Sequence, residues 1–444
     1  MRVVLALSAC LALGRAARAQ TSGTPRDTAG LLPNPSAHAA PLTAADSLRL
    51  TRAQAIAEAL QHNPQIEVAR EQTAQARARR VTASAIPDPA LSFSVDQQPQ
   101  PFNFGAGAGQ QRNAAIGLDV PFPTRLRLSG RVAAADVRAS EFNTQLQRQT
   151  IAASTSGTYD SLLVARRQRA ILLEVRALSA DFLKRTQARY TAGTVPKLDV
   201  IRAQVDLAQA DNALIANERD IANAQAALNR LIGRVIGAPI APLDSLDVPP
   251  SLPDSTTIER IALASRPELA ILASEQSGAH YNTSLLRQFW VPDLTMGISR
   301  DYAQPGTPVF STGFAFPLPA FYWQHARGDI AESQHHEREL DATSRDLRAQ
   351  VTQDVRSAYA NANTALRQAI FLRDQLVPSA REAFRVASVS YSLGGSSALE
   401  VLQARRDLQD ALSQFAQALA DANTARADLE RALGVPLSTL PSRP

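Results

Sequence analysis

The chain has 444 residues, of which 45% are hydrophobic, 5% aromatic and 20% charged, and its formal net charge is +5. It is too long for one compact core and too apolar for a disordered chain. The positive balance does not indicate nucleic-acid binding, because Arg2, Arg15 and Arg18 lie in a segment that we expect to be removed. The remaining charges are interleaved in sign, as on solvated helix faces, so we expect no nucleic-acid partner.

Residues 1–19 have the features of a secretory signal peptide. Arg2 precedes the apolar stretch from Val3 to Gly14, and Ala17-Arg18-Ala19 supplies a small-residue cleavage site. The order Leu7-Ser8-Ala9-Cys10 also suits a lipoprotein cleavage site, at which Cys10 would be acylated, although the short apolar stretch favours ordinary cleavage. Because Cys10 is the only cysteine, the exported product would contain no disulfide and no thiolate metal site.

Residues 20–48 are rich in proline, serine and threonine, which predicts a flexible segment. No later stretch reaches the roughly 20 consecutive apolar residues of a membrane-spanning helix. We therefore expect an exported protein that is periplasmic, extracellular, or a β-barrel in an outer membrane.

The chain contains two copies of one unit of about 200 residues. Residues 190–203 resemble residues 391–404 at an offset of 201, and the similarity continues to Gly233 and Gly434. We assign the first repeat to residues 49–233 and the second to residues 257–434. A proline-rich extended connector, residues 234–256, joins them, and residues 435–444 form a C-terminal tail.

Each repeat is predicted to contain a helix, a β-hairpin, a long helix and a further helix. Residues 52–84 are rich in helix-forming side chains, and the helix must end at Pro87. Alternating apolar residues then predict two strands in each repeat. They are Leu91, Phe93 and Val95, then Ile116, Leu118, Val120 and Phe122; in the second repeat, Leu294, Met296 and Ile298, then Phe310, Thr312, Phe314 and Phe316. Glycines 105, 107 and 109 predict a loop between the first two strands.

After Pro123 and Pro319 come helical stretches of about 65 to 70 residues, several times the length of a globular helix. Past the next glycine, apolar residues recur every seven residues at Leu207, Leu214, Ile221 and Leu228. In the second repeat a heptad is kept by Leu408, Leu412, Phe415, Leu419, Ala422, Leu429 and Leu433, and both patterns indicate antiparallel coiled-coil hairpins. An ordinary helical bundle would share these stripes but would leave the four strands unexplained. Four strands cannot close a membrane barrel, so two or three chains must combine to give eight or twelve.

The chain resembles the TolC-type outer-membrane efflux proteins over nearly its whole mature length. The motifs that carry the resemblance are Leu50-Thr51 with Ala55, Ala59-Leu60 and Asn63-Pro64, then Pro87-Asp88-Pro89, Pro121-Phe122-Pro123, Ala188-Arg189-Tyr190 with Gly193, Leu198-Asp199-Val200 and Leu231-Ile232-Gly233. The resemblance implies a mainly α protein with a small β part, in which long helical hairpins form a trimeric α-barrel. Four strands per chain would contribute to a 12-stranded transmembrane β-barrel.

The same resemblance implies the partners. It predicts a homotrimer in outer-membrane lipid that connects to an inner-membrane pump, of RND type, through a periplasmic membrane-fusion adaptor. The high proline and arginine content and the lack of further cysteines favour the heavy-metal efflux branch. Two alternatives remain: the outer-membrane duct of a type I protein secretion system, and a periplasmic coiled-coil adaptor. An adaptor needs only one hairpin, so the duplicated strands argue against it.

The turns between the long helices would be the periplasmic tips, where the tunnel narrows. The resemblance predicts that Asp199, Glu400, Tyr391 and Gln403 line the pore or its gate. Six carboxylates from three chains would attract cations, unless Asp199 and Glu400 only complement helix dipoles. Gln403 stands where some relatives have a second acid, and Ser396 where some have an arginine. Adaptor docking is predicted at the tip residues Gly193, Thr194, Val195, Leu393, Gly394 and Gly395.

No cofactor, metal site or enzymatic activity is expected. His325, His335, His336 and Glu339 lie near the start of the second long helix, but the adjacent histidines point in different directions, so a solvated helix face explains them better. Glycines 105 to 109 lie between strands and do not precede a helix, so they form no phosphate-binding loop.

Overall fold

The computed structural model describes residues 48–96, 111–291, 293–301, 309–315, 321, 324 and 326–437. The predicted signal peptide, the flexible segment up to residue 47, the glycine-rich loop, Phe316, His325 and most of the C-terminal tail lie outside the described residues.

The first repeat follows the predicted order of elements. Its bounds are β1 Leu48–Leu50, α1 Arg52–His62, α2 Pro64–Ala83, β2 Ala90–Asp96, β3 Gln111–Val120, α3 Pro123–Thr191 and α4 Lys197–Leu231. The predicted first helix is divided at Asn63, because proline at position 64 disfavours helical backbone in the residue before it. Thr51 and Gln54 form a capping box that begins α1.

The second repeat has the same order. The connector contains β4 Ile240–Pro242, and α5 Ser255–Ser265 begins at its end; then come α6 Pro267–Leu286, β5 Leu294–Asp301, β6 Val309–Ala315, α7 Ala326–Phe371, a π-helical turn Leu372–Leu376, α8 Val377–Ser392 and α9 Ala398–Leu433. The π turn ends two residues before Pro378, whose ring nitrogen has no hydrogen for the helical ladder. The second long helix is therefore interrupted where α3 is continuous.

The four predicted strands form one antiparallel sheet in the order β2-β3-β5-β6. Register places Leu91 opposite Ile116, and Ile116 opposite Ile298, on one face. That face carries exposed large apolar side chains, including Phe93, Phe310 and Phe314. The alternate residues are small or polar apart from Val309, so the sheet is two-sided with one apolar face. The β-hairpins of the two repeats meet where β3 pairs with β5.

A second, parallel sheet joins β1 to β4 and was not anticipated from the sequence. It packs on the middle of α3, where the Tyr159 hydroxyl donates to the Leu50 carbonyl at 2.9 Å. Burial raises the pKa of Tyr159 to about 12. Next to it, burial raises the pKa of the Asp160 carboxyl, against the opposing effect of its ion pair with Arg52.

The long helices pack side by side: α4 on α3, α3 on α9, and α9 on α7 and α8. The predicted heptad of α9 is confirmed, since Leu408, Leu412 and Leu419 are buried. The predicted stripe of α4 is confirmed at its far end, where Leu228 is buried and Ile221 packs against the same core. Leu207 and Leu214 are only half-buried, while Ala203, Asp206, Ala210 and Asn217 are buried. Small alanine side chains permit close helix approach, and the two polar ones have hydrogen-bond partners.

Candidate functional site

The two helix-to-helix turns have similar backbones. Gly193 and Gly394 both adopt left-handed conformations, with φ of 73° and 85°. After each glycine the chain reverses within four residues, and the next helix begins at Lys197 or Ala398. The turns differ at the helix start, because Pro196 offers no side-chain cap whereas Ser397 does.

The residues assigned to adaptor docking lie on these turns. Gly193, Thr194, Gly394 and Gly395 are exposed, and Val195 is half-buried. Leu393 is 82% exposed, more than any other large hydrophobic residue in the described part of the chain. The turns therefore offer a small apolar surface with little side-chain bulk.

The two predicted gate acids have partners within the protomer. Asp199 lies 3.6 Å from Arg202, one turn along α4, and its side chain is 13% exposed. Glu400 forms a capping box with Ser397: the Ser397 hydroxyl accepts from the Glu400 backbone N–H, and the Glu400 carboxylate accepts from the Ser397 backbone N–H, both at 3.3 Å. The contacts of both acids are therefore also those of residues that stabilise the first turn of a helix, which is the alternative to a role in the gate.

Tyr391 is buried at the end of α8, 4% exposed, and connects the two hairpins. Its hydroxyl donates to the Thr186 hydroxyl on α3 at 3.4 Å. The guanidinium of Arg189 lies 4.6 Å from the ring centroid, and Arg189 also donates to the Tyr391 carbonyl. Gln403 is exposed and donates to Asp407 at 2.9 Å, on its own helix.

A buried ion pair near the tips was missed from the sequence. Arg405 on α9 donates to Asp206 on α4 at 2.5 Å, and their side chains are 6% and 1% exposed. The hydroxyl of Ser179 on α3 donates to the second carboxylate oxygen of Asp206 at 2.7 Å. One signal was available: the repeat offset places Gln204 opposite Arg405, so an arginine stands in one copy where the other has an uncharged residue.

Of the histidines near the start of α7, His335 and His336 lie within the described residues. His336 lies 3.2 Å from Glu339, an exposed pair on one helix face. No group of three or more potential ligands that could hold a metal ion occurs among the described residues.

Aromatic residues flank the four-stranded sheet where its strands connect to the helices. Phe122 and Trp290 are exposed at this junction. Aromatic side chains at such a level are typical of a membrane interface. No helix in the described ranges combines the length and hydrophobicity needed to span a bilayer.

Comparison with solved structures identifies the class of fold. The open-state outer-membrane channel MtrE of Neisseria gonorrhoeae superposes with a TM-score of 0.72 at 20% identity, over 87% of this chain and 89% of that one. The protein therefore has the fold of outer-membrane channels built from long helices and a small sheet.

The family follows from the sequence comparison. The family described as outer membrane efflux protein matches residues 55–234 and 260–435, which correspond to the two repeats, and this chain belongs to it. Cobalt-zinc-cadmium resistance protein CzcC of Cupriavidus metallidurans is 24% identical over 339 residues, 73% of this chain and 77% of CzcC. Pyoverdine export outer membrane protein OpmQ of Pseudomonas putida is 25% identical over 338 residues, 72% and 70% of the two chains.

Proposed function

We propose that the protein is the passive exit duct of a tripartite efflux system. In this proposal three chains form a channel through the outer membrane, and a periplasmic membrane-fusion adaptor connects the channel to an inner-membrane pump of RND type. The observation that carries the proposal is the open four-stranded sheet, whose apolar face suits lipid and whose strands β2 and β6 are outermost in its order. In lipid, the backbone N–H and C=O groups at a strand edge must be paired, so a membrane sheet has to close into a barrel. Three such sheets supply the twelve strands of one barrel.

Assembly is tested by analytical ultracentrifugation of detergent-extracted protein. We expect the mass of three chains after the contribution of bound detergent is subtracted. A stable monomer that needs no detergent would contradict both the barrel and the duct.

The tips are the proposed docking surface for the adaptor. Nothing lies within 4 Å of a β-carbon built on Gly193, and at Gly394 only the end of the Arg189 side chain does. Valine at both positions would therefore strain the left-handed turns and change the tip surface without a clash inside the protomer. Gly193→Val with Gly394→Val should abolish crosslinking to the adaptor while leaving membrane trimers. Unchanged crosslinking would place the docking surface elsewhere.

The gate acids remain part of the proposal, as a ring of six carboxylates at the narrow end of the tunnel. Asp199→Asn with Glu400→Gln removes the charge with little change in volume. In planar bilayers we expect the double variant to lose selectivity for cations and to be blocked less by multivalent cations added from the tip side. If both properties match the wild type, these acids serve only their helices.

We propose transition-metal cations as the cargo class. The similarity to CzcC supports this class, and so does the polar face of the sheet. Among the strand residues whose side chains are described, the charged ones on that face are Asp119 and Asp301, whereas Arg300 and Arg112 lie on the apolar face. A strain lacking the protein should become sensitive to cobalt, zinc or cadmium. Sensitivity confined to organic toxic compounds would contradict this cargo while leaving the duct intact.

A further inference from the structure

Two arginines lie on the apolar face of the four-stranded sheet. Arg112 is near the start of β3 and Arg300 near the end of β5, and both side chains are exposed. Register fixes their face, because Arg300 is opposite Ala114, and Ala114 and Arg112 are two residues apart on β3. All three side chains therefore point to the side that carries Ile116 and Ile298. A charge on this side meets lipid hydrocarbon unless it lies at the level of the headgroups.

The level of Arg112 follows from the length of β3. This strand leads into α3 through Phe122, which is exposed, continues the same alternation and is ten residues from Arg112. At roughly 3.3 Å per residue, ten residues extend about 33 Å along a strand, and a tilt of about 40° reduces this to about 25 Å across the membrane. The apolar band of an outer-membrane barrel has this height. In the proposed duct the helices are periplasmic, so Arg112 lies at the opposite, outer boundary of the band.

Arg300 lies at the same level on the neighbouring strand. It is ten residues from Trp290, the exposed aromatic residue that precedes β5. Arg112 and Arg300 are diagonal neighbours on paired strands, and such neighbours have β-carbons about 7–8 Å apart, so two long side chains can contact one group between them. Strands β3 and β5 are the middle strands of the sheet, so one protomer supplies both arginines.

An aromatic ring lies beside one of the two guanidinium groups. Phe310 on β6 is opposite Arg300, and the guanidinium carbon of Arg300 lies 5.5 Å from the centroid of the Phe310 ring. The ring is itself exposed, so ring and guanidinium form one surface with an apolar part and a cationic part. Among the residues of this sheet whose side chains are described, the charged ones on the apolar face are Arg112 and Arg300. This surface is complementary to a lipid with an anionic headgroup.

We propose that Arg112 and Arg300 together bind a phosphate group of a glycolipid in the outer leaflet. A guanidinium group binds two oxygens of one phosphate through parallel hydrogen bonds, which a single phosphate monoester can offer to both arginines. The acyl chains of the same lipid would lie along the apolar face below them. Three chains would carry three such sites on the lipid side of one barrel. The inference rests on the proposed function, because it requires this face to lie in the outer membrane.

Lipid binding to the detergent-extracted trimer tests the site. The probe is a glycolipid that carries phosphate monoesters, titrated into the protein and counted by native mass spectrometry. We expect three bound molecules per wild-type trimer and at least tenfold weaker binding to Arg112→Gln with Arg300→Gln. The matched control, Arg338→Gln with Arg345→Gln, removes two exposed arginines from α7 and should bind the lipid as the wild type does.

Three further ligands identify the group that is bound. The same glycolipid after enzymatic dephosphorylation should bind the wild type at least tenfold more weakly, and so should a zwitterionic phospholipid. Inorganic phosphate at the same concentration should not bind measurably. Equal binding of either lipid would show that acyl chains suffice, and equal binding of inorganic phosphate would show a site for a soluble anion. Each of these results would overturn the proposal.

A lysine pair keeps the test decisive if the glutamine pair does not assemble. Arg112→Lys with Arg300→Lys retains both charges but lacks the planar guanidinium, so we expect trimers that bind the glycolipid several-fold more weakly. If either double variant sediments as three chains and binds the glycolipid as tightly as the wild type, this site is overturned while the duct proposal stands. If the wild type is a stable monomer that needs no detergent, both proposals fail.

Discussion

The two repeats end on the same backbone geometry but are held by different side chains. Gly233 and Gly434 both adopt a left-handed backbone conformation. A β-carbon built on Gly233 would lie 2.7 Å from the His62 carbonyl oxygen at the end of α1, and one built on Gly434 would lie 2.9 Å from the Ser265 carbonyl oxygen at the end of α5. In the first repeat Asn63 donates to the last turn of α4 at 2.9 Å. In the second, Arg266 donates to the last turn of α9 at 3.0 Å and also binds Asp354.

This difference separates two kinds of constraint. A close backbone approach admits only glycine, so both copies carry it. A carbonyl that needs a donor accepts either an amide or a guanidinium, so the side chain has been free to change and to gain a further partner. The ion pair near the tips follows the same rule: Asp206 is buried against Arg405, whereas Asp407, its counterpart in the second repeat, is exposed beside Gln403.

The largest loss of stability is expected from removing the buried charge of Asp206, which its exposed counterpart Asp407 does not share. Asp206→Asn leaves the buried Arg405 charge without its counter-ion and should lower the free energy of unfolding by about 3–5 kcal/mol. The matched control, Asp407→Asn, changes the same residue type on an exposed face and should cost less than about 0.5 kcal/mol. Urea unfolding of detergent-solubilised protein, followed by circular dichroism, measures both.

A double variant distinguishes the ion pair from simple packing. Asp206→Leu with Arg405→Met replaces both charges by apolar groups and should recover most of the lost stability, because no charge remains buried alone. A double variant as unstable as Asp206→Asn would mean that the shape of this contact, and not its charge, determines the effect.

The next effect compares two glycines of the same conformation. Gly233→Ala places a β-carbon 2.7 Å from the His62 carbonyl oxygen in addition to the strain of φ 71°. Gly193→Ala has similar strain, with φ 73°, but open space around it. We expect losses of roughly 3 kcal/mol at Gly233 and about 1 kcal/mol at Gly193. Equal losses in urea unfolding would show that conformation alone selects glycine at both sites.

Much of the architecture was predictable because it depends on local pattern. Apolar and polar residues alternate along the strands, prolines end the helices, and a glycine lies at each tip. The order of the elements and the duplication could therefore be predicted from the local sequence. The packed face of α4 was not, because alanine and polar side chains such as Ala210 and Asn217 reveal their burial only through the neighbouring helix. At the candidate site, the sequence located the tips but could not pair Asp206 with Arg405, which are 199 residues apart.

A smaller effect concerns the sheet that joins β1 to β4, at the junction of the first repeat with the connector. Tyr159→Phe removes the hydroxyl that donates to Leu50 and should cost roughly 1 kcal/mol at neutral pH. The folded-state pKa of Tyr159, about 12, lies above its ordinary value of 10.0. The unfolded chain therefore ionises first, and wild-type stability should fall between pH 10 and 12. The stability of the Tyr159→Phe variant should fall less steeply over the same pH range. If the stability of both proteins falls equally with pH, then ionisation of Tyr159 does not cause the loss.

The smallest effect separates the two roles of Glu400 by comparing the capped and uncapped tips. Ser397→Ala removes the cap of α9 but keeps the Glu400 charge, and should cost about 1 kcal/mol without changing ion selectivity. Glu400→Gln does the reverse, because glutamine also completes a capping box while carrying no charge. It should leave urea unfolding nearly unchanged and shift the reversal potential in planar bilayers. The first tip has no side-chain cap, so Asp199→Asn there should shift selectivity and cost only about 0.5 kcal/mol, through the lost pairing with Arg202 and with the helix dipole. If Ser397→Ala alters selectivity as much as Glu400→Gln does, then the position of the helix end, and not the carboxylate, controls the ions that pass.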